Sequence, residues 1–295
     1  MTTDAHGGHP ATTPGGPSSA AGRDPLPLAG RTVLVTGVSR RVGIGHAIAC
    51  RAADYGASIV AHHYRPHDVS QPWGADDVDA VMASIRTHLV GPARLIDIPA
   101  DLAAPGEPAR VVEQAAAAAG HLDALVCNQA MSSPDGSLSE MTEAVLDAHW
   151  AVDARASILL AQTFAAQKGF ASPASPGPVR RRGAIVFLTS GQGLGPLPGE
   201  IAYVAAKAAI AGLTPTISEE LIDAGITVNT VNPGPVDTGY VTEADREVTA
   251  AMFPPGRWGE PDDAARLITW LLTDEARWIT GQVINSEGGF ARWRH

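Results

Sequence analysis

The chain has 295 residues, and 21 Lys and Arg against 31 Asp and Glu give it a net charge of -10. That balance speaks against an extended basic footprint, and so against nucleic-acid or anionic-membrane partners. No stretch reads as an apolar run near the ~20 residues of a membrane span, and two cysteines, Cys50 and Cys127, make no disulfide framework and point to a reducing, cytoplasmic setting.

Residues 1–28 are Thr, Pro, Gly, Ala and Ser with almost no aliphatic content, which predicts a disordered tail. Order is expected from 29 to 295 as one domain. A strand over 32–35 leads into Thr36-Gly37-Val38-Ser39-Arg40-Arg41-Val42-Gly43-Ile44-Gly45, then a helix over 46–55 and a strand over 57–62. A helix around 76–88, a strand over 94–98, an Ala-rich helix over 108–119 and a strand over 124–127 follow. One long helix is expected over 139–168, and the Pro/Ser/Gly stretch 169–178 reads as a mobile connection. A strand over 184–188, a helix over 201–223 and a strand over 226–231 come next. Residues 238–256 read as a variable loop with room for a short helix, before a helix over 262–272 and a last strand over 282–285. Strands that alternate with helices and look buried rather than alternating predict an α/β fold: a doubly wound parallel sheet.

The chemistry concentrates in the segment 183–207. Tyr203 and Lys207 are four residues apart on the predicted helix, so their side chains share a face. An ammonium about 5 Å from a phenolate attracts it by roughly 3 kcal/mol at an effective dielectric of ~20. That lowers the phenol pKa by about 2 units and brings it toward acid–base work near neutrality. Ser190, at the end of the preceding strand, supplies a hydroxyl able to hold a carbonyl oxygen beside the phenol. Taken alone, Tyr-x3-Lys is mostly chance.

A Gly-rich turn between the first strand and its helix lets a backbone approach a pyrophosphate, whose charge meets the helix N-terminus. Together the two segments resemble the short-chain dehydrogenase/reductase family over about residues 30–290. The resemblance rests on Thr36-Gly37 with Gly43-Ile44-Gly45, on Ser190 thirteen residues before Tyr203, on Tyr203-x3-Lys207, and on Asn232-Pro233-Gly234-Pro235-Val236-Asp237-Thr238 after the sixth strand. The close of the chain, Ile279-Thr280-Gly281-Gln282-Val283 and Glu287-Gly288-Gly289, also resembles the family's last strand.

The resemblance implies an NAD(P)-dependent oxidoreductase in which Ser190 holds the carbonyl, Tyr203 moves the proton and Lys207 binds the nicotinamide ribose. Cofactor contacts are expected from Thr36, Gly37, Ser39, Arg40, Arg41, Gly43, Ile44 and Gly45, from Tyr64 and Arg65 after the second strand, and from Asp101 and Leu102 after the third. Asn128, Pro233, Gly234, Val236 and Thr238 complete that set. Gln192, Met131, Pro235 and Tyr240 are candidate substrate contacts beneath a lid at 238–256.

Three departures stand out. Five residues separate Gly37 from Gly43 where three are usual, a length also found in the family's enoyl-reductase branch, whose Tyr–Lys spacing is longer than the one here. The Asn-Asn-Ala-Gly motif reads Cys127-Asn128-Gln129-Ala130, which brings bulk near the cofactor. Asp153 stands where the family's structural, water-placing Asn belongs, and a carboxylate there perturbs Lys207.

The second strand ends His62-His63-Tyr64-Arg65, with no acid for a ribose diol. Arg65 with Arg40 or Arg41 could pair a 2′-phosphate, so NADP(H) is favoured over NAD(H). No metal site is expected, since His6 and His9 sit in the tail and His63-x3-His67 runs into Pro66. The resemblance favours reduction of a ketone or 3-oxoacyl thioester and a homodimer or homotetramer. The competing readings are an NADP(H) sensor without turnover and an NAD-dependent secondary-alcohol dehydrogenase.

Overall fold

The computed structural model describes residues 24–170 and 182–293. The connection expected at 169–178 lies mostly outside the described residues, as does the tail up to residue 23. Leu28, inside the stretch assigned to the tail by composition, is fully buried, and its N–H donates to the Tyr55 carbonyl at 2.9 Å.

Seven parallel strands form one sheet: β1 (Thr32–Val35), β2 (Ser58–His63), β3 (Leu95–Pro99), β4 (Ala124–Cys127), β5 (Gly183–Leu188), β6 (Ile226–Asn232) and β7 (Val283–Asn285). Their order is β3-β2-β1-β4-β5-β6-β7. Helices α1 (Ile44–Asp54), α3 (Val78–Arg86) and α9 (Pro261–Leu271) supply the core on one face. On the other lie α4 (Glu107–Ala119), α6 (Ala156–Ala165) and α7 (Ile201–Ile222).

Successive strand residues point to opposite faces. Val33 and Val35 of β1 join the first core while Leu34 joins the second; Ala184, Val186 and Leu188 of β5 oppose Ile185 and Phe187 in the same way. Both faces are covered, which is why β4 and β5 carry no polar alternation.

Three stretches differ from expectation. A short helix α2 (Arg65–Ser70) follows β2 directly, with Pro66 in its first turn, where a missing N–H costs nothing. The helix expected over 139–168 is broken. A 3-10 turn at Leu138–Glu140 precedes α5 (Glu143–His149), and a π-helical stretch, Trp150–Arg155, separates it from α6. The widened turn follows from side chains that enter the ladder: Gln129 Nε2 donates to the Val152 carbonyl at 3.1 Å, and Ser157 Oγ donates to the Asp153 carbonyl at 2.8 Å. The short helix in 238–256 is α8 (Glu243–Ala251).

The third difference is α7. At 22 residues, with an 18-residue window of mean hydropathy 1.3, it is long and apolar enough to cross a membrane, contrary to the expectation from sequence. It carries Tyr203 and Lys207 and lies against β6 and the π-helical stretch, the position of a core helix.

The chain winds outward from β1 to β3 and then returns to β4. The loops after β1 and β4 therefore part at the C-terminal edge of the sheet, the crevice where ligands bind in open α/β folds.

Candidate active site

A cleft of about 1210 Å³ opens at that edge. Its wall includes Gly37, Ser39, Arg40, Gly43 and Ile44 of the glycine loop, Tyr64, Asp101, Leu102 and Asn128, and Pro233, Gly234, Val236 and Thr238 after β6. Ser190, Tyr203 and Lys207 meet in the same wall with Met131, Pro235 and Tyr240. Thr36, Arg41, Gly45, Arg65, Gln192 and Asp153 are not part of it, and several have other tasks.

Thr36 is wholly buried and ties the ends of β1 and β4 together: its hydroxyl donates to Val126 O at 3.1 Å and accepts from Asn128 N at 2.9 Å. Arg41 is engaged by Asp76 through both Nε and Nη2, at 2.9 and 2.8 Å. Arg65 is exposed in the first turn of α2. Gln192 Nε2 donates to Thr189 Oγ1 at 3.0 Å.

The glycine loop packs against Asn128 by its lack of side chains. A Cβ at Gly45 would lie 2.6 Å from both Asn128 Nδ2 and the Gly37 carbonyl oxygen; at Gly37 (φ +72°) it would meet the same amide at 2.9 Å. Asn128 thus buttresses the loop, its amide donating to Thr36 O and Gly37 O at 2.9 and 3.2 Å. Arg40 stacks 5.7 Å from the Trp73 ring and donates to Thr238 O at 2.7 Å, so it bridges the loop to the segment after β6. Trp73, Tyr240 and Trp258 form an aromatic rim, with ring centroids 6.3 and 6.4 Å apart.

The segment after β4 positions the catalytic candidates. Asp135 accepts from Ala202 N at 3.0 Å and from Tyr203 N at 2.8 Å, and the Gly136 carbonyl accepts from Ile201 N at 3.4 Å. The first three N–H groups of α7 are therefore satisfied from another element, while Glu200, the residue before the helix, contributes no side-chain cap. Lys207 is 3 % exposed; its Nζ donates to Leu188 O at 3.3 Å and lies 5.6 Å from the Tyr203 ring centroid.

Asp153 is enclosed completely. Its Oδ1 accepts from Met131 N at 2.8 Å and lies 4.0 Å from Lys207 Nζ, and its Oδ2 lies 3.6 Å from His149 Nδ1. Gln129 lines the cleft between Asn128 and Ala130. It is buried, donating to Val152 O and to Ser157 Oγ at 2.9 Å, so the two sequence departures belong to one assembly.

A family model described as enoyl-(acyl carrier protein) reductase matches residues 37–291. An uncharacterized oxidoreductase of Bacillus subtilis is 39% identical over 265 residues, 89% of this chain and 97% of that protein. The chain belongs to the short-chain dehydrogenase/reductase family. Within it, the 3-oxoacyl-[acyl-carrier-protein] reductase of Staphylococcus epidermidis is 33% identical, covering 88% of this chain and 98% of its own. A short-chain dehydrogenase from Burkholderia cenocepacia, solved in complex with NADP, superposes with a TM-score of 0.74 at 32% identity, covering 89% of this chain and 98% of that one. The protein is thus an oxidoreductase with the nucleotide-binding fold of short-chain dehydrogenases.

One electrostatic expectation is reversed. Lys207 was expected to depress the Tyr203 phenol, but the phenol lies well above its ordinary value. Burial is the main cause and the Asp153 carboxylate the second, with the Ser190 hydrogen bond pulling the other way. The ammonium is placed over the ring and donates to the Leu188 carbonyl, a poor position for stabilising phenolate oxygen.

His149, Asp135, Glu200, Trp73, Trp258, Phe290 and Arg292 belong to the site without standing out in the sequence. His149 carried a signal, its spacing of four from Asp153 on a helix. Arg292 lines the cleft beside Ser190 and is held by Glu287 at 2.7 and 2.9 Å. Nothing local in the sequence marks that pair.

Proposed function

We propose that the protein reduces an uncharged ketone or aldehyde carbonyl to the alcohol with NADPH, through Ser190, Tyr203 and Lys207. One observation supports the reading: the three side chains line a single cleft together with the glycine loop. The nicotinamide supplies the hydride to the carbonyl carbon. Ser190 Oγ donates a hydrogen bond to the carbonyl oxygen and Tyr203 delivers the proton to it. The raised phenol is protonated at neutral pH, which suits reduction rather than oxidation. Lys207 holds the nicotinamide ribose, and its ammonium lies over the Tyr203 ring, 5.6 Å from the centroid.

For NADP(H), the absence of an acid after β2 and the position of Arg40 in the cleft wall support the phosphorylated cofactor. Arg41 is the weaker candidate because Asp76 already pairs it. Arg65, exposed beside the wall residues Tyr64 and Pro66, is the second.

The substrate end is lined by Met131, Leu188, Leu197, Tyr240, Trp258 and Phe290, with the carboxylates of Asp135 and Glu200. Those acids and the net charge of -10 disfavour an acidic carrier protein, although the staphylococcal relative is named for one. The matching family model is named for enoyl reduction; the four-residue Tyr–Lys step supports a carbonyl substrate instead. An absorbance assay of NADPH and NADH against ketones, aldehydes, quinones and 3-oxoacyl thioesters tests the reading. Consumption of NADPH at least ~10-fold faster than NADH, with uncharged carbonyls ahead of carrier-linked thioesters, is the expected result. Binding of NADPH without consumption across the panel overturns it.

We also infer a homodimer built on the outer faces of α5 and α7. Only 33% of the apolar window of α7 is buried within one chain, and Leu146 and Trp150 stand 40% and 45% exposed. Size-exclusion chromatography with light scattering is expected to give at least twice the 30.5 kDa chain mass, and Trp150→Glu to shift that mass toward the monomer; a monomeric parent rules out the assembly.

A further inference from the structure

The proposed mechanism leaves one buried ionisable side chain without a task, His149. It is fully enclosed, as is Asp153 one turn further along. His149 Nε2 lies 2.9 Å from the Pro134 carbonyl oxygen. A carbonyl oxygen only accepts, so Nε2 carries a proton. Nδ1 then faces Asp153 Oδ2 at 3.6 Å, and neither atom has a hydrogen-bond partner among the described residues. A bare ring lone pair against a bare carboxylate oxygen, both out of water, is repulsive. A proton on Nδ1 turns the same contact into an ionic attraction.

We propose that His149 is held as an imidazolium and acts as the counter-charge to Asp153, so that Lys207 and Tyr203 meet a neutral couple rather than a bare carboxylate. This rests on the Ser190–Tyr203–Lys207 reading above and gives His149 the part of a positioning residue. The family's Asn at the Asp153 position is neutral, and an Asp alone places a full negative charge 4.0 Å from Lys207 Nζ. The His149–Asp153 couple has the amide's net charge while keeping the carboxylate oxygen that receives the Met131 N–H at 2.8 Å.

The surroundings agree. Burial opposes a charged imidazole, but Asp153, the Pro134 carbonyl and Asp135 together outweigh it and raise His149 above its ordinary value. The His149 ring also meets the Tyr203 ring edge-on, 6.4 Å between centroids, so the couple adjoins the group whose proton it governs. The other ionisable or polar groups facing this cluster are Asp135 after β4, Cys127 on β4, Ser190 after β5, Glu200 and Lys207 at α7, and Tyr240 after β6. Among these, Lys207 is the cationic side chain, and Asp135 already receives three N–H groups.

Two measurements on the full chain decide the matter. In ¹⁵N spectra of histidine-labelled protein near neutral pH, the signals that vanish in His149→Phe are expected to show both ring nitrogens protonated. In Asp153→Asn the same ring should revert to the neutral Nε2–H form. A neutral His149 in the parent, or a ring state indifferent to Asp153→Asn, overturns the proposal.

In turnover, His149→Phe should lower kcat by about 10-fold or more with KM nearly constant, and shift the alkaline loss of reduction to higher pH. The double variant His149→Phe/Asp153→Asn should regain most of both effects, because it removes the uncompensated charge. A double variant as impaired as His149→Phe assigns the residue a purely structural role and overturns the proposal. If His149→Phe does not fold, His149→Gln, which keeps an N–H donor for Pro134, replaces it in both arms. A parent enzyme that consumes no carbonyl defeats the functional reading, and the ring spectra still establish whether His149 carries the counter-charge.

Discussion

Tyr203→Phe is expected to lower kcat for carbonyl reduction by about 10²–10⁴-fold, the range in which a positioned general acid contributes, while NADPH binds with nearly unchanged affinity. The substitution removes one oxygen and leaves the packing. A phenylalanine ring still meets the His149 edge and still lies beneath the Lys207 ammonium, whose contact with the ring is 5.6 Å. The backbone N–H of residue 203 still donates to Asp135. What disappears is the proton donor. The parent's phenol lies above its ordinary value, chiefly through burial, so the reductive rate should be level through neutrality and decline only at strongly alkaline pH, as the donor loses its proton. In the variant that alkaline decline should vanish with the activity. Steady-state rates across pH, with NADPH affinity by fluorescence, check both parts; near-normal turnover in Tyr203→Phe would remove the phenol from the mechanism.

The parts of this site that were legible in the sequence are those that lie close together along the chain. Tyr203 and Lys207 share a helix face by spacing alone, and the glycine loop sits in the first strand–helix turn, so both could be placed before any tertiary contact was known. The apolar strands announced a sheet covered on both faces. What escaped were arrangements made across the fold. The π-helical stretch at 150–155 exists because Gln129, from another loop, takes the Val152 carbonyl, and no helix propensity encodes that. Likewise the raised phenol depends on burial first and then on Asp153, fifty residues away in sequence; the Tyr–Lys pair considered alone gave the opposite sign. Leu28 shows the same limit at the chain's start, one of two leucines in the polar stretch 1–28 and one that the core nevertheless takes up.

Asp135→Ala should be the most damaging substitution outside the catalytic trio. The first turn of α7 has no cap of its own, and the Asp135 carboxylate receives the N–H groups of both Ala202 and Tyr203. Loss of a capping carboxylate costs about 1–2 kcal/mol, and a partly buried N–H left without an acceptor adds about 1 kcal/mol or more. A destabilisation of roughly 2–3 kcal/mol is therefore expected from denaturant unfolding at neutral pH. Activity should fall further than stability, because one of the two released N–H groups belongs to Tyr203 itself, and small displacements of a proton donor are costly in rate. Asp135→Asn keeps one acceptor oxygen but no charge opposite the helix N-terminus, so it should fall between the parent and the alanine variant. The pH dependence separates this cap from simple packing. Burial opposes the Asp135 charge, yet the N–H groups of Tyr203, Ala202 and Gly136 hold the carboxyl below its usual range. A carboxyl depressed in the folded state contributes stability that is complete above the unfolded pKa of about 4 and fades as pH falls through that value toward the folded one. The gap in unfolding free energy between the parent and Asp135→Ala should thus be constant from neutrality down to about pH 5 and shrink below it. A gap that stays the same into the acid range would mean that residue 135 supports α7 by volume alone, and that the charge at the start of the catalytic helix does not hold it.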